Sequence, residues 1–296
     1  MKTEKKSSSF MAFTKLFLTF AMNSAILKMN QISVELTDLS IGYRTKQGKK
    51  VVASHIEARI HRGRLTCLLG ENGVGKSTLL RTLAAFQPPL SGQIQLEGQP
   101  LAQYSDRQLA RTIGIVLTEK PDVRQMTARE LVEMGRAPYT GFWGRLNDAD
   151  HQACDEAIGM TGIAHLVHRH IHTLSDGERQ KVMIAKALAQ QTSIIYLDEP
   201  TAFLDYPSKV EMLLLLRRIS HEAQKTVFLS THDLELALQV ADTIWLMTRE
   251  KGLQTGTPRE LAANGTLSQF IERHPDIHFD PATLSIGVQS HDAFLA

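Results

Sequence analysis

A chain of 296 residues is long enough for one large α/β domain or a core with a subdomain, and 43% hydrophobic with 22% charged residues is a globular composition. A formal charge of +2 argues against a general nucleic-acid or membrane-surface binder, although an average of this kind hides local patches. Two cysteines, Cys67 and Cys154, cannot form a disulfide framework; Cys67 lies in an apolar run and reads as a small buried hydrophobe, which fits a reducing compartment.

Residues 1–29 carry Lys2, Lys5 and Lys6, then an apolar run with Phe10, Phe13, Phe17 and Phe20 at helical spacing. The run resembles a signal peptide or membrane-surface helix, but Lys15 interrupts it, no small-residue cleavage site is convincing, and it would span a bilayer only marginally. We read it as a leader, disordered or upstream of a start at Met29. Ile32-Ser33-Val34-Glu35-Leu36 alternates as a first strand, and Tyr43 follows shortly after it, where an aromatic face can stack on a purine. Residues 51–60 alternate again and predict a short antiparallel layer.

Leu65-Thr66-Cys67-Leu68-Leu69 is a short apolar strand, and residues 79–85 have helical spacing. Between them, Gly70-Glu71-Asn72-Gly73-Val74-Gly75-Lys76-Ser77-Thr78 satisfies G-x-x-x-x-G-K-[ST] at every required position. A helix N-terminus leaves N–H groups unpaired and carries partial positive charge, and glycines let that backbone close around phosphate oxygens. Lys76 then reaches the β- and γ-phosphates of a nucleotide, Ser77 supplies a hydroxyl to Mg²⁺, and Thr78 adds a contact near the α-phosphate.

Residues 93–96 read as a strand, Glu97-Gly98 as a turn, and Ser105 as the N-cap of a helix reaching Arg111. Residues 113–117 form an apolar strand that ends at Thr118-Glu119. From there the pattern turns helical, with a capping box at Thr127-Ala128-Arg129-Glu130 and a helix over 148–160, so a helical subdomain is expected at about 120–172. His165, His168, His170 and His172, with Cys154 upstream, invite a metal reading. Their spacings do not share a helical face, and solvated histidines at a helix end are simpler.

Leu174-Ser175-Asp176-Gly177-Glu178 opens a helix that runs to Gln190; Ser175 with Glu178 fits a capping box, and the same helix start can serve as an anion site. Ile194-Ile195-Tyr196-Leu197-Asp198-Glu199-Pro200 is an apolar strand ending in two adjacent carboxylates, an ending that packing seldom explains. Asp198 is assigned to Mg²⁺ and Glu199 to the general base that receives a proton from attacking water. Residues 226–230 form another strand leading to Thr231-His232-Asp233, which puts His232 at the sheet edge where ligands bind and favours a γ-phosphate contact. Residues 258–263 read as a helix. The stretch 270–288, broken by Pro275 and Pro281, caps the sheet or helps dimerise, with no residue pattern to choose between them.

Over about residues 32–256, the phosphate loop, LSDGE, IIYLDEP, AFLD and STHD in this order closely resemble the ATPase subunits of ABC transporters. The resemblance implies an α/β phosphate-loop ATPase core with an antiparallel β subdomain and an inserted helical subdomain. It implies an ATPase domain over 30–256 and a C-terminal extension over 257–296. By matching motifs, Tyr43 corresponds to the adenine-stacking aromatic, Ser175 and Gly177 to the signature motif, and Asp205 to the D-loop. Lys76, Glu199 and His232 correspond to catalytic groups. The family further implies a head-to-tail homodimer, or a pair within a larger transporter, with integral membrane permease subunits, indirectly a substrate-binding protein, and a peripheral place at the cytoplasmic face of the cell membrane.

The run 130–139, with Gly144-Arg145, is similar to importer ATPases for iron–siderophore, haem and cobalamin complexes, and serves equally well as a helix, its glycine stop and a loop. A soluble ABC-type ATPase acting on nucleic acid or ribosomes is the rival function. The single cassette, the absence of a long coiled-coil insertion and the near-neutral charge oppose it.

Asp176 and Glu178 depart from the family's usual LSGGQ, and Glu119 stands where a glutamine is usual. A carboxylate there can still coordinate Mg²⁺, but it repels phosphate unless metal or proton screens it. Glu119→Gln is therefore expected to keep transport-coupled ATPase activity, and its complete loss in reconstituted transporter would contradict the alignment.

Overall fold

The computed structural model describes residues 31–45, 48–118, 125–141 and 143–288; the expected leader and Glu119 lie outside them. Ile32–Thr45 (β1) and Gly48–His61 (β2) pair antiparallel. Leu65–Gly70 (β3) leads to Lys76–Leu83 (α1), and Ser91–Leu96 (β4) with Gln99–Pro100 (β5) completes a four-stranded sheet in the order β2-β1-β4-β5. The second sheet is formed by β3 with Ile113–Val116 (β6), Ile194–Asp198 (β7), Thr226–Ser230 (β8), Thr243–Thr248 (β9) and Gly252–Gly256 (β10). Its order is β10-β9-β3-β8-β7-β6, parallel except for the β10 edge.

Parallel strands covered on both faces are predominantly apolar, and alternate residues divide between two cores. Leu68, Tyr196, Phe228 and Trp245 face α1 and the antiparallel sheet, where they meet Leu79, Leu80 and Leu83. Cys67, Leu69, Ile195, Leu197, Val227, Leu229, Ile244 and Leu246 face the opposite helical layer. Phe228 and Trp245 meet edge to face at 5.0 Å. Cys67 is fully buried, as its apolar setting predicts, and burial raises its thiol pKa.

The remaining helices are Asp106–Thr112 (α2), Ala128–Glu133 (α3), Asp148–Thr161 (α4), Asp176–Ala189 (α5), Tyr206–Glu222 (α6) and Leu234–Val240 (α7). Ser105, Thr127, Asn147 and Ser175 each make a capping box with the residue three positions on. Beyond β10 come Pro258–Ala263 (α8), Thr266–Ile271 (α9) and a hairpin of Ile277–Asp280 (β11) with Ser285–Val288 (β12). The stretch read only as a broken extension thus contains the end of a helix and a hairpin, anchored in the core by buried Phe279.

The run 130–139 ties the helical layer together. Gly135 lies so close to α5 that a Cβ there would stand 2.3 Å from the Lys186 carbonyl oxygen. Arg136 is buried, donating from Nε to Asp150 Oδ1 at 2.8 Å and from Nη1 to Ala189 O at 2.7 Å. Its guanidinium lies 4.0 Å from the Tyr139 ring centroid, and Tyr139 Oη donates to Gln190 O at 3.0 Å. Carbonyls left unpaired at the end of α5 are thereby satisfied.

The Asn147 N–H, and then Arg136, hold the Asp150 carboxyl below its ordinary value against the opposing effect of burial. A depressed carboxylate contributes stability above its unfolded value, and that contribution is lost as pH falls through the folded one. Arg136→Ala is expected to cost about 3 kcal/mol in urea denaturation at neutral pH, because a buried charge loses its partner. The gap from wild type should narrow in acid as Asp150 protonates.

Candidate nucleotide site

The core sheet's strand order makes β3, β8 and β7 neighbours, so the segments that follow them leave from one edge. Those segments carry the phosphate loop, His232 and the paired acids. At the end of β3, a Cβ on Gly70 would stand 2.1 Å from the Met247 carbonyl oxygen of β9. At the N-cap of α1, Gly75 has φ +114°, and a Cβ there would stand 2.3 Å from Val52 of β2. Only glycine lets this backbone turn between the two sheets. α1 begins at Lys76, one turn earlier than the apolar periodicity predicts, so Lys76, Ser77 and Thr78 form its first turn.

A cleft of about 370 Å³ opens above the loop. Tyr43, Lys50 and Val52 line it from the antiparallel sheet, and Asn72, Gly73, Gly75, Lys76, Ser77 and Thr78 from the loop and helix start; Glu199 and His232 close the far side. Tyr43 Oη lies 2.7 Å from Thr78 Oγ1. Lys76 Nζ donates to Gly70 O at 2.9 Å and Glu71 O at 3.1 Å. Burial lowers the Lys76 pKa, and the charges of Glu199 and Asp198 oppose that shift. The ammonium, held by its own loop, thus lies within the electrostatic reach of both acids.

Asp198 Oδ1 accepts from Ser230 Oγ at 2.6 Å, and its carbonyl accepts from Thr118 Oγ1 at 2.7 Å. Glu199 has φ +48° and donates its N–H to Ser230 Oγ at 3.0 Å. His232 Nε2 lies 2.7 Å from Glu199 Oε1. Two neighbouring strands thus hold the acids in place, and Ser230, to which the sequence reading assigned no role, joins them. Its adjacency to Thr231-His232 at a strand end was the available signal.

Ser175, Gly177 and Asp205 do not line the cleft. Ser175 caps α5, and Gly177 lies near Leu204 and Ser208. Asp205 caps α6, accepting from the Ser208 N–H at 2.9 Å. Phe203 and Tyr206, on either side of that turn, are exposed. Among the described residues, no group of three or more His, Cys, Asp or Glu could hold a metal ion. His170 and His172 stack with centroids 5.7 Å apart, and His170 Nδ1 lies 3.2 Å from Gln125 O.

A glycine loop between a buried strand and a helix, its lysine within electrostatic reach of two acids at the carboxyl edge of a parallel sheet, defines a phosphate-loop nucleoside triphosphatase. The chain belongs to the ABC transporter family, whose profile matches residues 53–202, and is an ATPase of that family. It is 35% identical to the iron(3+)-hydroxamate import ATP-binding protein FhuC of Bacillus subtilis, across 86% of this chain and 93% of that protein. It is 36% identical to the ferric enterobactin transport ATP-binding protein FepC of Escherichia coli, across 79% and 84%. Among solved structures, CbiO1 of Clostridium perfringens, part of the ABC transporter complex CbiONQ, matches with a TM-score of 0.69 and 29% identity, covering 83% of this chain and 97% of that one.

Tyr43 lines the cleft and places its hydroxyl on Thr78. Tyr43→Ala is expected to weaken ATP binding about tenfold, the loss of one base stack, whereas Tyr43→Phe stays within about twofold. Titration with a fluorescent ATP analogue separates the two. Equal losses would put the Thr78 contact, not the ring, in charge.

Proposed function

We propose that the chain is the ATP-hydrolysing subunit of an ABC importer for iron complexes, siderophore or haem, or for cobalamin. The carrying observation is the convergence of Lys76, Ser77, Glu199 and His232 on one cleft at the sheet edge. The iron-hydroxamate and enterobactin relatives support the cargo class.

In this reading, residues 70–78 wrap the phosphates with backbone N–H groups. Lys76 exchanges its bonds to Gly70 O and Glu71 O for phosphate oxygens. Ser77 and Asp198 suit Mg²⁺, being hard oxygen donors, and the Ser230 bond already orients the carboxylate. Bound Mg²⁺ supplies charge neutralisation for the phosphates, and Glu119 is assigned as a further ligand. Glu199 accepts a proton from attacking water, while His232 holds that carboxylate and meets the γ-phosphate. Tyr43 stacks on adenine.

Ser175, Gly177 and Asp205 lie outside the cleft lining, which supports a second copy as their route to the nucleotide. The proposed assembly is therefore a head-to-tail homodimer whose closure and reopening drive permease subunits. No helix among the described residues is long and apolar enough to cross a membrane. The proposal puts the subunit peripherally at the cytoplasmic face, with a substrate-binding protein as an indirect partner.

Glu199→Gln is expected to bind ATP and accumulate ATP-dependent dimers while hydrolysis falls at least about a hundredfold. Size-exclusion chromatography and phosphate release measure the two effects, and normal turnover would defeat the assigned base. Uptake of a ferric siderophore by vesicles carrying the reconstituted transporter tests the cargo. ATPase activity stimulated by nucleic acid but not by loaded binding protein would overturn the importer reading.

A further inference from the structure

We propose that Arg273 is a positioning residue for the nucleotide: it neutralises Glu71 of the phosphate loop and links seating of the C-terminal segment to occupancy of the cleft. The inference rests on residues 70–78 being the ATP site.

Glu71 is the second residue of the loop, and its carbonyl accepts from Lys76 Nζ at 3.1 Å. Its side chain is mostly buried, with Oε1 2.7 Å from Arg273 Nη1 and Oε2 3.6 Å from Arg249 Nε. Arg249 also donates to Asn72 O at 3.4 Å. Two guanidiniums thus brace the outer side of the loop, one from the β9–β10 turn and one from beyond α9. Arg273 is the closer and the less exposed of the two.

Arg273 belongs to a local framework. Its guanidinium lies 5.2 Å from the Phe270 ring centroid, and the preceding Glu272 accepts from the Phe279 N–H at 2.9 Å. Phe279 is buried in the core. The hairpin, the end of α9 and Arg273 therefore sit together.

A carboxylate in a loop that closes around triphosphate repels the incoming charge, and a paired guanidinium removes much of that repulsion. The pair also fixes the residue whose carbonyl holds Lys76 before nucleotide arrives. Coupling of this kind is reciprocal: if Arg273 favours ATP, bound ATP favours the seated C-terminal segment.

The test is a double-mutant cycle on the full chain, read as ATP affinity, KM and kcat at low and high salt. Arg273→Gln is expected to weaken ATP binding and raise KM about two- to fivefold, with kcat within about twofold; high salt shrinks the loss. In a Glu71→Gln background the same change should cost nothing further, and Arg273→Lys should recover part of the affinity. Hydrogen exchange over residues 271–280 should slow with ATP in wild type but not in Arg273→Gln. An equal loss in the Glu71→Gln background assigns Arg273 to packing on Phe270 and overturns the proposal, as does unchanged affinity or unchanged exchange. Lys76→Ala with undiminished ATP binding would instead defeat the loop as the nucleotide site.

Discussion

The site depends on β3 lying between β9 and β8 in a sheet covered on both faces. A central strand of this kind is buried on both faces, and Leu65, Cys67, Leu68 and Leu69, with the small polar Thr66 among them, meet that demand. Its neighbours then fix where the loop can turn. The β9 carbonyl at Met247 leaves no room for a side chain at Gly70, and Val52 leaves none at Gly75. Through the second contact the antiparallel sheet reaches the loop, which is why Tyr43 and Val52 share a cleft with Lys76.

Within that cleft Lys76, Glu199 and His232 already have partners. Lys76 is bonded to carbonyls of its own loop, and Glu199 contacts His232. ATP would exchange such contacts for phosphate contacts, and each exchange contributes far less than the gross strength of a hydrogen bond. Affinity then comes from the arrangement of many groups, not from one. A non-glycine residue at φ +48° carries strain, and Ser230 holds Glu199 there by accepting its N–H. The strand that leads to His232 thereby also sets the position of Glu199.

Contiguous features were legible. The phosphate loop, the paired acids and the Ser105, Thr127 and Ser175 caps each lie within a few residues of chain, and β1–β4 and β6–β8 show as continuous or alternating apolar runs, whereas β9 and β10 were not read. The helix start at Lys76 was not legible, because Lys76, Ser77 and Thr78 are polar and add no apolar period. Periodicity reports which face is buried, not which distant side chains meet. Arg136 with Asp150 and Ala189, Ser230 with Asp198, and Glu71 with Arg273 are all long-range pairs of this kind. The β11–β12 hairpin escaped notice because its strands are four residues each and only Phe279 is buried among them.

The acidic signature can be understood in the same terms. A bare carboxylate at a helix start that approaches another chain's phosphate would repel it, yet neither departure from LSGGQ is bare. Glu178 Oε2 accepts from the Ser175 N–H at 2.9 Å, and its Oε1 lies 3.3 Å from Arg169 Nη1. The Ser175 N–H leads the effects that hold its carboxyl below the ordinary value, so the charge persists at neutral pH but is spent inside the capping box. Asp176 pairs with Arg179 one turn along α5. Each acid has brought a guanidinium with it, and the local charge stays near balance. The helix start keeps its dipole, and in the proposed dimer that dipole would favour an anion.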